Sequence, residues 1–191
     1  MSKTACFYAE IWKNGQWEAI PYPKLLKGKQ VPICCVAPGT PYELYAALVG
    51  YEHCTTYPIW HTEQIVPLSE PRGFPEEMNT IYKNYFDGPR WKHYLTWFLV
   101  QEVIDYDWDR EFSPFTSYVK SEYESLFSKL DFFPKDFPES EGIYRHMGDG
   151  KVEVSWVENY RDFVQCGDWF IRELLKLGDP KEVRIIFWFD Y

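Results

Sequence analysis

Several things are scarce in this 191-residue chain, and each scarcity excludes something. Basic residues are outnumbered, 20 Lys and Arg against 29 Asp and Glu, for a formal net charge of -9. A dedicated duplex DNA or RNA binder displaces counterions with a basic face, so that class is set aside. No apolar run approaches the roughly 20 residues of a spanning helix, so no membrane partner is expected. The five cysteines, Cys6, Cys34, Cys35, Cys54 and Cys166, lack the Cys-x2-4-Cys spacing of a zinc knuckle and leave an odd thiol. Free thiols in a reducing cytosol fit this usage better than a disulfide framework. Walker and Gly-x-Gly-x-x-Gly turns are missing, as is Gly-x-Ser-x-Gly, so the ordinary ATP, dinucleotide and serine-hydrolase machineries are not expected, nor is a cofactor. The N-terminus has no apolar core and no small-residue cleavage site, which argues against a secretory signal.

Aromatic residues, by contrast, are abundant: 14 Phe, 15 Tyr and 9 Trp, 20% of the chain. That much apolar ring area excludes disorder. The length suits one domain over residues 1–191.

Residues 6–13 alternate as a strand, Asn14-Gly15 is a strong hairpin signal, and 16–20 return as a second strand. Pro21, Pro23, Pro32 and Pro38 mark a loop-rich stretch with a short edge strand at 31–36. Thr40-Pro41-Tyr42-Glu43 opens a helix that Gly50 closes. Residues 51–74 read as a long irregular segment, and 75–86, 91–104, 113–130 and 159–177 read as helices. Residues 151–157 form a strand, and 183–189, apolar on both faces, form the central strand. The expected class is α+β: one mainly antiparallel sheet with an N-terminal hairpin and a C-terminal central strand, covered by about four helices. On the last strand, Phe187 and Phe189 face one side and Trp188 the other.

Three clusters could carry chemistry. Asp105, Asp107 and Asp109 alternate, which would suit a divalent cation, but the sixth position from Asp105 is Arg110 rather than the Gly of an EF-hand loop. A solvated acidic helix exit is the plainer account, and no metal site is assigned. Arg72-Gly73 sits between Pro71 and Pro75, just before an expected helix, where a guanidinium and a helix start favour an anion. Pairing of Arg72 with Glu70 or Glu76 is the structural alternative. Arg90-Trp91-Lys92-His93-Tyr94-Leu95-Thr96-Trp97 opens the expected helix of 91–104, where Arg90, His93, Tyr94 and Trp97 would share one face. Cation, imidazole, phenol and indole together suit a flat anionic ligand. In the last strand, Arg184 lies between apolar neighbours and requires either a buried partner or a pocket.

The C-terminal stretch from Asp179 to Tyr191, with Val183-Arg184-Ile185-Ile186-Phe187-Trp188-Phe189-Asp190, resembles a family of phage- and prophage-encoded proteins ending in a Val-Arg-Ile-Val-Phe-Trp-Phe-Asp-Asn-like string. Tyr42 to Gly50, Pro67 to Pro75 and His93 to Trp108 are similar to further segments of that family. Tyr94 stands where the family tends to have Ser, and Tyr191 where it has Asn, so a role for that serine does not transfer. The resemblance implies phage origin and action in the bacterial host cytosol. By analogy, small phage proteins lacking catalytic signatures blunt host defence, some by sequestering nucleotide-derived immune signals.

The leading expectation is therefore a non-catalytic sponge for a small nucleotide-like ligand. Its contacts would be Arg72, Gly73, Arg90, Trp91, His93, Tyr94, Trp97, Asp107 and Arg184. The alternatives are an inhibitor that masks a host defence protein with an acidic, aromatic surface, and a metal-dependent phosphodiesterase using Asp105, Asp107 and His93. The aromatic surplus over one small core suggests a homo-oligomer.

Overall fold

In the computed structural model, residues 4–20, 25–26, 29–30, 42–50, 65–79, 92–127, 132–144, 146–164 and 167–190 are described. Their elements run in the order β1 (Thr4–Lys13), β2 (Gln16–Ala19), β3 (Leu25–Leu26), β4 (Lys29–Gln30), α1 (Tyr42–Val49), β5 (Lys92–Leu99), α2 (Val100–Asp105) and β6 (Phe115–Lys120). A 3₁₀ helix (Ser121–Phe127), β7 (Lys151–Trp156), α3 (Tyr160–Phe163), α4 (Gly167–Leu175) and β8 (Val183–Asp190) follow. The class is α+β.

These elements belong to two compact units, one comprising 1–51, 66–106 and 164–191, the other 52–65 and 107–163. The first is built on an antiparallel sheet in the order β2-β1-β8-β5. Its hairpin turns at Asn14 and Gly15, both left-handed with φ of 52° and 79°, as a two-residue turn matched to strand twist requires. β8 pairs with β1 from Thr4↔Asp190 to Ile11↔Val183 and with β5 on its other edge. Every residue from Val183 to Phe189 is buried, which is why this strand reads as a continuous apolar run rather than an alternation.

The two faces of the sheet are packed differently. On one, Phe7 contacts Tyr45 of α1, Phe170 of α4 and Phe187, with ring centroids 6.2, 5.7 and 4.7 Å away. Tyr45 also meets Phe189 edge-on at 5.1 Å. Helix α1 is buried from Leu44 to Val49, and Gly50, at φ 65°, closes it with an N–H bond to Ala46. On the other face Tyr8 stacks on Trp188 at 4.8 Å beside Ile186, and Met78, Leu95 and Trp97 pack against them. Phe187 and Phe189 thus lie opposite Trp188, as alternation requires.

In the second unit β6 and β7 pair antiparallel from Phe115↔Trp156 to Lys120↔Lys151. Phe115 stacks on Trp156 at 5.6 Å, and Phe127 meets Phe133 at the same distance. Phe112 lies 4.6 Å from Tyr160. Each such ring pair contributes about 0.5–1.5 kcal/mol beyond its buried area. Much of the aromatic surplus is the core of this small unit.

Four expected helices are corrected. Residues 92–99 form β5, and only Val100–Asp105 is helical, because pairing with buried β8 outweighs local helical spacing. Residues 115–120 form β6, where Phe115, Ser117 and Val119 alternate with Thr116, Tyr118 and Lys120, and the rest of that stretch begins as the 3₁₀ helix. The expected helix of 159–177 is two, α3 and α4. Residues 75–79 carry no helix, and 80–86 lie outside the described residues, as do the expected strand at 31–36 and the Thr40-Pro41 start of α1.

Candidate functional site

β5 is not a regular strand. Its pairing with β8 shifts register between His93 and Thr96, and Tyr94 within that bulge has φ 55°. A left-handed aromatic residue costs about 1–3 kcal/mol and persists only where its surroundings fix it, and such positions gather at functional sites. The segment 69–73 runs beside the bulge and holds it. The N–H of Gly73 donates to the Leu95 carbonyl at 3.0 Å, and the N–H of Arg72 to Thr96 Oγ1 at 3.2 Å. Ser69 Oγ lies 3.3 Å from the same hydroxyl. Gly73 itself has φ 73°, the conformation for which glycine is suited.

This placement brings the Arg72 guanidinium over the Trp97 ring, 5.2 Å from its centroid. Arg72 Nη1 donates to the Trp97 carbonyl at 3.2 Å and to Glu102 Oε2 at 3.1 Å, while Nη2 donates to Glu102 Oε1 at 2.7 Å. The partner is thus Glu102 of α2 rather than Glu70 or Glu76. Both side chains of the pair remain about a third exposed, at 32% and 33%. Glu102 Oε2 also accepts the Leu99 N–H at 2.8 Å, which ties the start of α2 to the same carboxylate. Burial pushes the Glu102 carboxyl upward, but the hydrogen bonds from Arg72 and Leu99 and the guanidinium charge outweigh it, and the net displacement is downward.

Behind Trp97 a second guanidinium completes the arrangement. Arg184 of β8 lies 5.9 Å from the Trp97 ring and 4.0 Å from that of Trp17 on β2. It is 4% exposed, and its Nε donates to Glu10 Oε2 at 2.6 Å. Arg184 Nη2 donates to the Glu77 carbonyl. Glu10 Oε1 accepts the Asn79 N–H at 2.8 Å, and Asn79 Nδ2 reaches the Trp17 carbonyl at 3.1 Å. Burial pushes the Arg184 guanidinium below its ordinary range, while the Glu10 charge and hydrogen bond pull it back. Trp17, Arg184, Trp97 and Arg72 therefore alternate ring and cation across one sheet face, each cation held by its own carboxylate.

Of the residues expected from sequence, Arg72, Gly73, Tyr94, Trp97 and Arg184 belong to β5, β8 and the segment beside them. Tyr94 and Trp97 do not share a face, however: Tyr94 meets Phe189 edge-on at 5.9 Å, whereas Trp97 packs toward Ile186 and Trp188. The bulged strand separates what a helix would have aligned. His93 is placed by register opposite Phe189, and Arg90 and Trp91 lie outside the described residues. Asp107 is an exposed residue of the second unit, where its carbonyl accepts the Arg110 N–H at 3.3 Å. Asp105 accepts from Gln101 Nε2 at 2.8 Å, and Asp109 is paired with Arg161 at 2.8 Å. Among the described residues no group of three or more His, Cys, Asp or Glu side chains is placed to hold a metal ion.

Glu10, Trp17 and Glu102 were not singled out from the sequence. Glu10 carried a readable signal, a carboxylate inside the apolar alternation Tyr8-Ala9-Glu10-Ile11. Trp97 can stack a planar ring, and the partly exposed Arg72 can meet negative charge in exchange for Glu102, whereas Arg184 is closed off by Glu10 and the Glu77 carbonyl. No family model, curated protein or solved structure matches the chain. No helix among the described residues is long and apolar enough to cross a membrane.

Proposed function

We propose that this chain is a phage-encoded counter-defence protein that captures a small nucleotide-derived signalling molecule without turning it over. One observation carries the reading. Arg72, a third exposed, lies over Trp97 beside a strained bulge, with Arg184 on the same ring. A base stacks on an indole with a gain of about 1–3 kcal/mol, and the Arg72 guanidinium, held by Glu102 in the free protein, exchanges that carboxylate for phosphate in the same fork geometry. The net charge of -9 does not oppose this, since the local field at the ring decides. The resemblance of the C-terminal strand to phage proteins supplies the biological setting.

Native mass spectrometry against cyclic mono- and dinucleotides and ADP-ribose-type molecules tests the proposal. The expected result is a saturable complex from which denaturation releases the ligand with unchanged mass. Intact protein that binds nothing in that panel overturns the reading, and release of a cleaved product overturns its non-catalytic part.

A further inference from the structure

The tip of the β1–β2 hairpin carries a reactive pair that nothing proposed above uses. Asn14 and Gly15 form the two-residue turn, at φ 52° and 79°, just past the last cross-strand pair, Lys13↔Gln16. Both residues are exposed. Among the described residues, neither the Asn14 carboxamide nor the Gly15 N–H has a hydrogen-bond partner. A Cβ built on Gly15 would meet nothing within 4 Å, so the space around this amide is open.

An asparagine is lost when the next residue's amide nitrogen closes on its side-chain carbonyl carbon. Here the closure needs only a rotation about the Asn14 Cα–C bond. Because the turn lies beyond the last strand pair, that rotation does not require β1 and β2 to separate. Asn79, Asn84 and Asn159 are placed differently. They precede Thr80, Tyr85 and Tyr160, whose side chains crowd the attacking nitrogen. Asn79 Nδ2 is also held on the Trp17 carbonyl at 3.1 Å, and Asn159 Oδ1 accepts the Asp162 N–H at 2.7 Å.

We propose that Asn14 is a site of spontaneous deamidation, and that its isoaspartate product loosens β2 from the sheet. The Gly15 nitrogen bonds to Asn14 Cγ, the Cγ–Nδ2 bond breaks, and ammonia departs with the proton from Gly15. Water then opens the succinimide, its hydroxyl going to a carbonyl carbon and its proton to the Gly15 nitrogen. Opening at Cγ gives aspartate, which tolerates the left-handed conformation and keeps the turn. Opening at the main-chain carbonyl gives isoaspartate, which inserts a methylene into the backbone and turns the old carbonyl into a side carboxylate. Turn type and loop length fix the register of a hairpin, so the longer turn no longer holds Lys13↔Gln16 and Trp12↔Trp17 in place. Trp17 thereby loses its edge-on contact with Trp12 at 5.3 Å and its place 4.0 Å from the Arg184 guanidinium.

Peptide mapping by mass spectrometry, after incubation of the folded full chain at mildly alkaline pH, follows every asparagine in one sample. Asn14 should convert at least about tenfold faster than any other. The isolated isoaspartate form should show altered tryptophan emission and unfold at lower urea than unreacted protein. Asn14→Asp, which adds the same charge without lengthening the backbone, should unfold with unreacted protein. Conversion of Asn14 no faster than that of Asn79 or Asn159 overturns the proposal. So does an isoaspartate form that unfolds together with Asn14→Asp. Neither readout uses a nucleotide, so its failure leaves the nucleotide reading untouched, and the reverse also holds.

Discussion

The buried pair of Glu10 and Arg184 gives the sharpest stability prediction. Glu10 is fully buried and Arg184 is 4% exposed, so removing one partner strands a charge in the sheet. In Glu10→Ala the guanidinium loses its counter-ion beneath Trp17, and the Asn79 N–H loses its acceptor. Breaking a buried pair in this way costs about 3–5 kcal/mol. Replacing both partners with apolar residues, as in Glu10→Leu with Arg184→Met, removes the stranded charge. The double variant should therefore lie within about 2 kcal/mol of wild type, the remainder reflecting the lost bonds to Asn79 and Glu77. Urea denaturation followed by tryptophan fluorescence reads both values. A single-variant cost below about 1 kcal/mol, the range of exposed pairs, would refute the claim that this pair is a buried fastener. So would a double variant less stable than the single one.

Two further predictions concern neighbouring positions. Gly178 has φ 149°, and an added Cβ would stand 2.9 Å from Ile11 Cδ1 and 3.1 Å from Val183 Cγ2, so Gly178→Ala should cost about 1–3 kcal/mol in the same assay. Glu102 has its carboxyl held below the ordinary range in the folded state. Its contribution is therefore fully present above the unfolded-state value and is lost as pH falls through the folded one. Glu102→Gln, which can still accept from Leu99, should lower stability at neutral pH by no more than about 1 kcal/mol for this partly exposed pair. The gap should close on acidification, and a gap that widens in acid would contradict the assignment.

The parts of the fold that could be read from sequence were those fixed by local chemistry. Asn14-Gly15 can serve a two-residue hairpin turn whatever surrounds it, and the run Val183–Phe189, apolar except at Arg184, short and rich in β-branched and aromatic residues, reads as an interior strand. β5 was misread because Leu95, Phe98 and Leu99 fit a helical repeat while Leu95, Trp97 and Leu99 fit alternation equally well. The tie is broken by β8, which is 84 or more residues away in sequence. The same applies to β6, whose partner β7 supplies the register. The candidate site followed this pattern. Arg72, Trp97 and Arg184 stood out as residue types, but their counter-ions Glu102 and Glu10 are set by tertiary pairing, and Glu10 lies 174 positions from Arg184. Sequence spacing could not have joined them.

The most direct test of the central claim is a fluorescence titration of wild type and Arg72→Met with cyclic mono- and dinucleotides and ADP-ribose. Ligand mass is measured after release by denaturation. Quenching of tryptophan emission by at least one of these molecules, saturable binding and recovery of the intact ligand are expected. Affinity should fall about tenfold or more in Arg72→Met, whose fold is checked by circular dichroism. No saturable quenching in wild type, equal affinity in the variant, or a ligand released with altered mass would contradict it.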